Sequence, residues 1–385
     1  MKITHIHIER FRGFQNEDFE VGSLLTAIAG QNGTQKSTLL GIITQTFTLK
    51  TEDSMRVEKP LCGGSYISAF KDKFRLSPTF DKPKGHEWTI SFDAGMDDFT
   101  VESIKRTGDP NVRFWKKGAR QEGDGYISFP TIFLSLKRLV PVAEEAKIIT
   151  DDTLLTQEEL NEFKQLHNKI LIAQTPISSA TTITSKNKQS IGVSTELYDW
   201  NQNSMGQDNL GKIILALFSF KRLHDKYPRQ YKGGILAIDE MDATMYPASQ
   251  VELLKVLRKY ASKLNLQILF TTHSMSLLKA MDDLVQEVTK KEETANQAKI
   301  LYLKKVDDKI AIKQGVNFKG IQLDLNVVAE GNNRKKNRIT AYTEDKENIL
   351  FVKAILKSKA FVLDFVDVTL PCSTLMELVT KRVPA

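Results

Sequence analysis

Gly30-Gln31-Asn32-Gly33-Thr34-Gln35-Lys36-Ser37-Thr38 follows a short apolar run, Leu24 to Ala29, and leads into Ser37 to Phe47, a stretch with no helix breaker. Strand, Gly-rich turn and helix in that order are what a phosphate-binding loop needs, because the turn's N–H groups and the helix N-terminus then face an anion. The stretch fits G-x-x-x-x-G-K-[ST] at every fixed position except one, where Gln35 replaces the last glycine. In that pattern Gly30, Asn32, Gly33, Gln35 and Thr38 would line the phosphates, Lys36 would reach the β- and γ-phosphates of ATP, and Ser37 would ligate Mg²⁺. A chance Gly-Lys-Ser string in a loop is the competing reading, and the flanking strand and helix speak against it. A residue with a Cβ at position 35 loses backbone freedom where the chain should approach phosphate. Binding is expected to survive this and turnover to suffer.

Two further strand ends supply the chemistry such a loop needs. Ile235-Leu236-Ala237-Ile238-Asp239-Glu240 is an apolar strand ending in two acids. Asp239 would hold Mg²⁺ through water, and Glu240 would act as general base or water-positioner at the edge where parallel sheets bind ligands. Two acids capping the next turn is the plainer alternative. Leu269-Phe270-Thr271-Thr272-His273-Ser274 ends in His273, whose imidazole could hydrogen-bond the γ-phosphate. A lone histidine is more often structural, but this one falls one βα unit after Glu240.

The rest of the chain is consistent with this arrangement. With 41% hydrophobic and 26% charged among 385 residues, the chain can bury two or three packed units. Its longest apolar run, Ile213 to Phe218, is too short for a membrane helix, and Met1 to Phe14 lacks an apolar leader core. The expected location is the cytoplasm, with no membrane partner. Cys62 and Cys372 stand alone, so neither a disulfide framework nor a zinc site is suggested. The net charge of +7 leans toward polyanionic partners such as nucleic acid.

Ile3 to Ile8 alternates like a half-buried strand, and Glu87 to Phe92 and Thr131 to Leu136 read as further strands. Thr156 to Gln174 reads as a helix with a Thr156/Glu159 capping box, and Thr175 to Ser194 as a mobile loop or hairpin. Leu210 to Leu223 is helical. Ile235 to Ile238, the helix Ala248 to Leu264 and Gln267 to Thr271 make a βαβ unit. The organisation expected is an ATPase domain over 1–331 with an inserted helix and loop near 151–200, a basic linker over 332–338, and a small unit over 339–385.

With loop, double acid and strand-end histidine in order, the sequence resembles the ABC-ATPase superfamily, and Asn203-Ser204-Met205-Gly206-Gln207 is similar to its L-S-G-G-Q signature. The resemblance implies an α/β head with a parallel core sheet around the phosphate loop and an antiparallel N-terminal sheet. It also implies that Ser204, Gly206 and Gln207 approach the γ-phosphate from an opposite subunit, in a homodimer or higher homo-oligomer with two composite sites. A helix N-cap at Ser204 is the local alternative, and the two are compatible. No glutamine loop is placed, and Arg138, in Ser135-Leu136-Lys137-Arg138-Leu139, is the candidate for a phosphate-side arginine.

Ile6-His7-Ile8-Glu9-Arg10-Phe11-Arg12-Gly13-Phe14 resembles the "nFr-G-f" start of the RecF, SMC and OLD-like branch. Asp239-Glu240-Met241-Asp242-Ala243-Thr244-Met245-Tyr246-Pro247 likewise resembles that branch's D-E-P-E-A-G-L-H-P. No coiled-coil heptads separate loop from signature, which argues against an SMC-type tether. The phosphate-loop phrase, Asp81-Lys82-Pro83 and Ser204-Met205-Gly206-Gln207-Asp208-Asn209-Leu210-Gly211 are similar to the PtuA family, the ATPase subunits of Septu antiphage systems, including retron-associated forms. That resemblance covers roughly Met1 to Val316. It implies a PtuB-like HNH nuclease partner and DNA, retron msDNA included.

Ile339-Thr340-Ala341-Tyr342-Thr343-Glu344 with the following helix resembles the first strand and helix of a Toprim domain, with Glu344 at the acid position. The D-x-D pair such a site needs is absent from Glu344 to Ala385, so a Toprim-like remnant is expected, or simply a strand-helix unit capped by Glu344. Two other readings of the whole chain stay open. One is an OLD-like nuclease in its own right, the other a RecF-like DNA-repair ATPase.

Overall fold

In β1 (Ile3–Phe11) the residues Ile3, Ile6, Ile8 and Phe11 are buried, so the alternation in the sequence becomes one face of a sheet. The computed structural model describes residues 1–66, 70–93, 95–105, 112–118, 125–140, 148–152, 154–185, 189–329 and 339–380. After β1 come β2 (Phe14–Glu20), β3 (Leu25–Gly30), α1 (Lys36–Thr44), β4 (Phe47–Thr48), α2 (Phe70–Lys73), β5 (Glu87–Phe92), β6 (Phe99–Lys105), β7 (Val112–Lys116), β8 (Ile127–Ser128) and β9 (Thr131–Leu134). Next are β10 (Ile149–Asp152), α3 (Gln157–Leu171), β11 (Ser179–Thr184), β12 (Gln189–Ser194), α4 (Met205–Lys226), β13 (Gly234–Ile238), α5 (Pro247–Lys263) and β14 (Leu266–Thr272). The chain continues through α6 (Met275–Val288), β15 (Ala298–Val306), β16 (Lys309–Lys313), α7 (Phe318–Ala329), β17 (Ile339–Thr343), α8 (Lys346–Leu356), β18 (Leu363–Thr369) and α9 (Cys372–Thr380).

The fold is α/β. Its core sheet has the order β16-β15-β3-β14-β13-β9, parallel from β15 to β9 and closed by the antiparallel hairpin β15–β16. A separate antiparallel sheet runs β2-β1-β5-β6-β7. One apolar core joins the two, with Ile6, Ile8 and Trp88 from the antiparallel sheet, Leu39 and Ile43 from α1, and Ala237 and Leu269 from the core sheet. The βαβ unit read from the sequence is β13–α5–β14.

Local details follow side-chain chemistry. The Thr156/Glu159 capping box is present at the start of α3. Thr175 to Ser194 is largely a hairpin, β11–β12, extended by β10 into a three-stranded sheet. α1 stops at Thr44, short of the expected Phe47, because Phe47 and Thr48 pair in parallel with Ile127 and Ser128. The strand expected over Thr131 to Leu136 ends at Leu134, where the chain turns into a 3₁₀ segment, Leu136–Leu139.

The chain divides into two compact units, Met1–Gln322 and Leu323–Ala385, so the division falls within α7. The basic tract 332–338 lies outside the described residues. The second unit holds β17 and β18 as a parallel pair, with Glu344 exposed just beyond β17 and Asp345 capping α8. Among the described residues, no helix is long and apolar enough to cross a membrane.

Gln267, 1% exposed, fastens the two sheets of the first unit. Its Oε1 accepts from Ile3 N at 2.7 Å, and its Nε2 donates to Ile3 O at 2.8 Å and Gly22 O at 3.0 Å. Replacing Gln267 with Leu keeps the volume and orphans those buried backbone groups. Gln267→Leu is expected to lower unfolding stability by about 2–4 kcal/mol, read as a drop in the urea midpoint at unchanged slope.

Candidate functional site

β3 delivers the chain to Gly30, where a Cβ would lie 2.5 Å from Leu303 O and 2.8 Å from Thr34 Oγ1, so only glycine lets the turn leave the sheet here. Gln35, at φ 62, takes the left-handed conformation that glycine would adopt freely, and α1 begins immediately after it. Its side chain turns back to the β1–β2 turn, where Oε1 accepts from Gly13 N at 3.4 Å. No side chain caps α1, and its first turn carries no acid, so its N-terminal N–H groups present positive potential. The Lys36 amine is buried within the loop and donates to Gly30 O at 3.0 Å and Gln31 O at 2.8 Å. Burial pushes Lys36 down to about 8, against the opposing pull of Glu240, Asp239 and Asp242.

The sheet brings the second strand end to this loop. Asp239 Oδ1 accepts from Ser37 Oγ at 2.9 Å and from Thr271 Oγ1 at 2.7 Å. Thr271 Oγ1 in turn accepts from Glu240 N at 2.6 Å. Glu240 is half-buried at φ 49, directly after the strand end. His273 follows β14 on the exposed side, and burial together with the Lys36 charge lowers its pKa. Lys36, Ser37, Asp239, Glu240 and His273 thus meet at the C-terminal edge of three adjacent parallel strands. Ser37 Oγ and Asp239 Oδ1 are hard oxygen donors of the kind that could hold Mg²⁺, Ser37 directly and Asp239 through water. Among the described residues no group of three His, Cys, Asp or Glu side chains could hold a metal ion by itself.

Ser204 caps α4 in a full capping box. Its Oγ accepts from Gln207 N at 3.3 Å, and Gln207 Oε1 accepts from Ser204 N at 2.8 Å. Gln207 Nε2 also donates to Tyr198 Oη at 2.7 Å. Among the described residues neither side chain hydrogen-bonds to the 30–38 loop. A Cβ on Gly206 would lie 2.5 Å from Thr244 O, so the signature turn packs directly on the backbone that follows Asp239 and Glu240.

Arg138 is placed differently from the expectation of a phosphate-side arginine. It is 2% exposed, and its guanidinium donates to Asn209 Oδ1 at 2.7 Å, Leu134 O at 3.3 Å, Ser135 O at 3.1 Å and Glu240 O at 2.8 Å. Those carbonyls hold it below the surface. Asn209 Nδ2 donates to Ala243 O at 3.0 Å, so Arg138 and Asn209 together brace the Glu240 backbone against α4.

Sequence reasoning gave no role to Arg12, Asp81, Thr271 or Asn209. Arg12 Nε and Nη2 donate to Asp81 Oδ1 and Oδ2 at 3.1 and 2.9 Å, and Nη1 reaches Thr38 Oγ1 at 3.5 Å. Both partners stood in quoted phrases, Arg10-Phe11-Arg12 and Asp81-Lys82-Pro83, but only folding joins them. Asp81 is buried with His86 Nε2 3.1 Å away, and despite its burial the hydrogen bonds from Arg12, Ser77 and His86 hold its carboxyl down to about 2.

The brace has a measurable signature. Asn209→Leu preserves volume while removing the bonds to Arg138 and Ala243. Nucleotide affinity should stay within about threefold while turnover falls at least roughly tenfold, the loss expected when a reacting group is displaced rather than deleted. Titration and steady-state phosphate release on the same sample check this.

Comparison with curated proteins returns no match. Among solved structures, the SMC head domain from Thermotoga maritima aligns with 14% identity and a TM-score of 0.45, covering 82% of this chain and 100% of that one. An Smc head domain with an extended coiled coil bound to the C-terminal domain of ScpA, from Pyrococcus furiosus, gives 12% identity, a TM-score of 0.45, and 85% and 99% coverage. The recombination mediator protein RecF of the RecFOR pathway gives 12%, 0.41, and 82% and 98%. The family profile described as AAA ATPase domain matches residues 1–189 and 135–278, most of the chain. With that match over most of its length, the chain belongs to the AAA ATPase domain family.

Proposed function

We propose that the chain is an ATP-binding ABC-type ATPase of the RecF, SMC and OLD-like branch that closes ATP between two copies of itself. The observation that carries this reading is the 2.9 Å contact of Ser37 Oγ with Asp239 Oδ1, because it joins the two side chains that would hold Mg²⁺, near Lys36. Lys36 exchanges its carbonyl partners for the β- and γ-phosphates. Glu240 orients the attacking water and takes its proton, and His273, kept neutral, hydrogen-bonds the γ-phosphate. Ser37, and Asp239 through water, would hold Mg²⁺, which would supply positive charge against the phosphates.

Ser204, Gly206 and Gln207 complete the site from the opposite copy. That neither the Ser204 nor the Gln207 side chain hydrogen-bonds to its own 30–38 loop among the described residues, and the exposure of neighbouring Met205, Tyr246 and Leu197, support this. Gln35 makes turnover slow, since a side chain occupies the point where the loop should close on developing charge. ATP then acts mainly as a ligand that sets the state of an assembly, which requires different affinities in its two states.

The ATPase domain spans 1–331 and works from the cytoplasm. The 332–338 linker leads to a Toprim-like remnant over 339–385, supported by the parallel β17–α8–β18 order with Glu344 at the strand end. The resemblance to the PtuA family and the net charge of +7 support a role in antiphage defence. There the ATP state controls a PtuB-like HNH nuclease acting on DNA, including retron msDNA.

Glu240→Gln should bind ATP and accumulate as a dimer, because it spares the phosphate contacts and removes the base. Light scattering after size exclusion with Mg²⁺ and ATP reads the shift; an unchanged monomer peak refutes the two-copy site. Lys36→Ala, tested alongside, should show no ATP-dependent shift, having lost the charge facing the β- and γ-phosphates.

The lone chain should not cut DNA in Mg²⁺ or Mn²⁺, since one carboxylate, Glu344, is too few for a nuclease metal. Cleavage should require a second protein carrying its own metal site, with ATP modulating it. Metal-dependent cutting by the lone chain that disappears in Glu344→Ala would install the OLD-like nuclease reading instead.

A further inference from the structure

Gln250 lies near the start of α5 with 6% of its surface exposed, so its amide must find partners inside the protein. Nε2 donates to Met245 O at 2.8 Å and Asp242 O at 3.2 Å, both in the turn that follows Glu240. Those two carbonyls fix which end of the amide is nitrogen. They leave Oε1 to accept from the hydroxyl of Ser274, the residue after His273. One side chain therefore connects the turn behind the strand-end acids with the backbone beside the strand-end histidine.

His273 needs such an anchor. Its side chain is exposed, and among the described residues it makes no hydrogen bond or ion pair of its own. The place of the ring is then set by its backbone neighbours. Thr272 before it is buried in β14, and its Oγ1 accepts from Ser274 N at 3.0 Å. Ser274 after it caps α6, its Oγ accepting from Leu277 N at 3.2 Å. Gln250 is the contact that ties this bend to the acidic strand end rather than to its own helix. The turn at the other end is under strain, with Glu240 at φ 49, Thr244 at φ 68, and Asp242 Oδ1 buried without a hydrogen-bond partner. We propose that Gln250 is a positioning residue for ATP hydrolysis that acts through His273, its amide holding the histidine in a fixed place relative to the Glu240 turn so that both address the same γ-phosphate. This rests on the ATP-site reading above and adds to it a residue that touches neither nucleotide nor metal.

Gln250→Met roughly keeps the volume and removes the amide's bonds. In the full chain with Mg²⁺ and ATP it is expected to leave the ATP dissociation constant within about threefold. It should lower the single-turnover rate by about 10- to 100-fold, the cost of a reacting group displaced by an ångström or so. In a His273→Ala background the same substitution should change the rate by less than about twofold, because the two act as one unit. An amide that only supported the fold would cost as much there as in wild type, and that result overturns the proposal. Ser274→Thr keeps the hydroxyl and should retain the rate that Ser274→Ala loses. Equal rates in these two variants also overturn it, and the pair carries the test if Gln250→Met fails to fold. A second readout is independent of turnover. With the six histidines isotope-labelled, Gln250→Met should move the His273 ring resonance, identified by its loss in His273→Ala, and leave the others in place. An unmoved His273 signal refutes the anchor. A wild-type chain that neither binds nor cleaves ATP overturns the nucleotide-site reading itself, and the resonance still decides whether Gln250 holds His273.

Discussion

Asp239 Oδ1 accepts two hydroxyl protons, one from Ser37 in the first turn of α1 and one from Thr271 in β14. A carboxylate only 5% exposed is costly to bury unless its charge is shared, and these two bonds share it. Each of them also fixes something else. Ser37 carries the start of α1, and Thr271 accepts from Glu240 N, which holds the next acid at the sheet edge. The neighbouring Lys36 amine provides the compensating positive charge. Loop, double acid and strand-end histidine are therefore held in one register, because a single oxygen cannot satisfy both hydroxyls in any other.

Three residues around that oxygen bear left-handed backbone without being glycine, Gln35 at φ 62, Glu240 at φ 49 and Thr244 at φ 68. Such conformations cost on the order of 1–3 kcal/mol each and persist only where neighbours over-determine them. Here the neighbours are identifiable. Gln35 bonds back to Gly13, Glu240 is pinned through Thr271 and Arg138, and Thr244 lies under Gly206. The strain is concentrated where the chain has to present side chains to a ligand, and Arg138 and Asn209 form the rigid floor beneath it.

The parts of this fold that were legible in the sequence are those encoded by neighbours in the chain. Alternation in Ile3 to Ile8, the Thr156/Glu159 cap and the apolar runs before Gly30 and Asp239 each specify an element through contacts a few residues apart. Helix α1 was read too long, since the pairing that ends it comes from Ile127 and Ser128. Arg138 was read as facing phosphate because sequence shows a cation near the strand end and not the four acceptors that draw it inward. Arg12 and Asp81 escaped for the same reason. An ion pair across 69 positions leaves no local trace.

The N-terminal strands have a history as well as a place. β3 lies between β14 and β15 at the middle of the core sheet, and Ile3 is held by Gln267, 264 positions away. At about 5–20 residues per second of synthesis, the first strands therefore wait on the order of ten seconds or more outside the ribosome before their partners exist. During that interval Leu25 to Ala29 is an unpaired apolar edge, the kind of surface that seeks other strands. The antiparallel β1–β2 hairpin can close at once, its register set by Phe11 and Phe14, and gives the nascent chain something to bury early. Chain order thus makes the β1–β2 pair available early and the partner of β3 at the nucleotide edge only when β14 arrives. A ribosome stalled before that point would carry a phosphate loop that has nothing to close against.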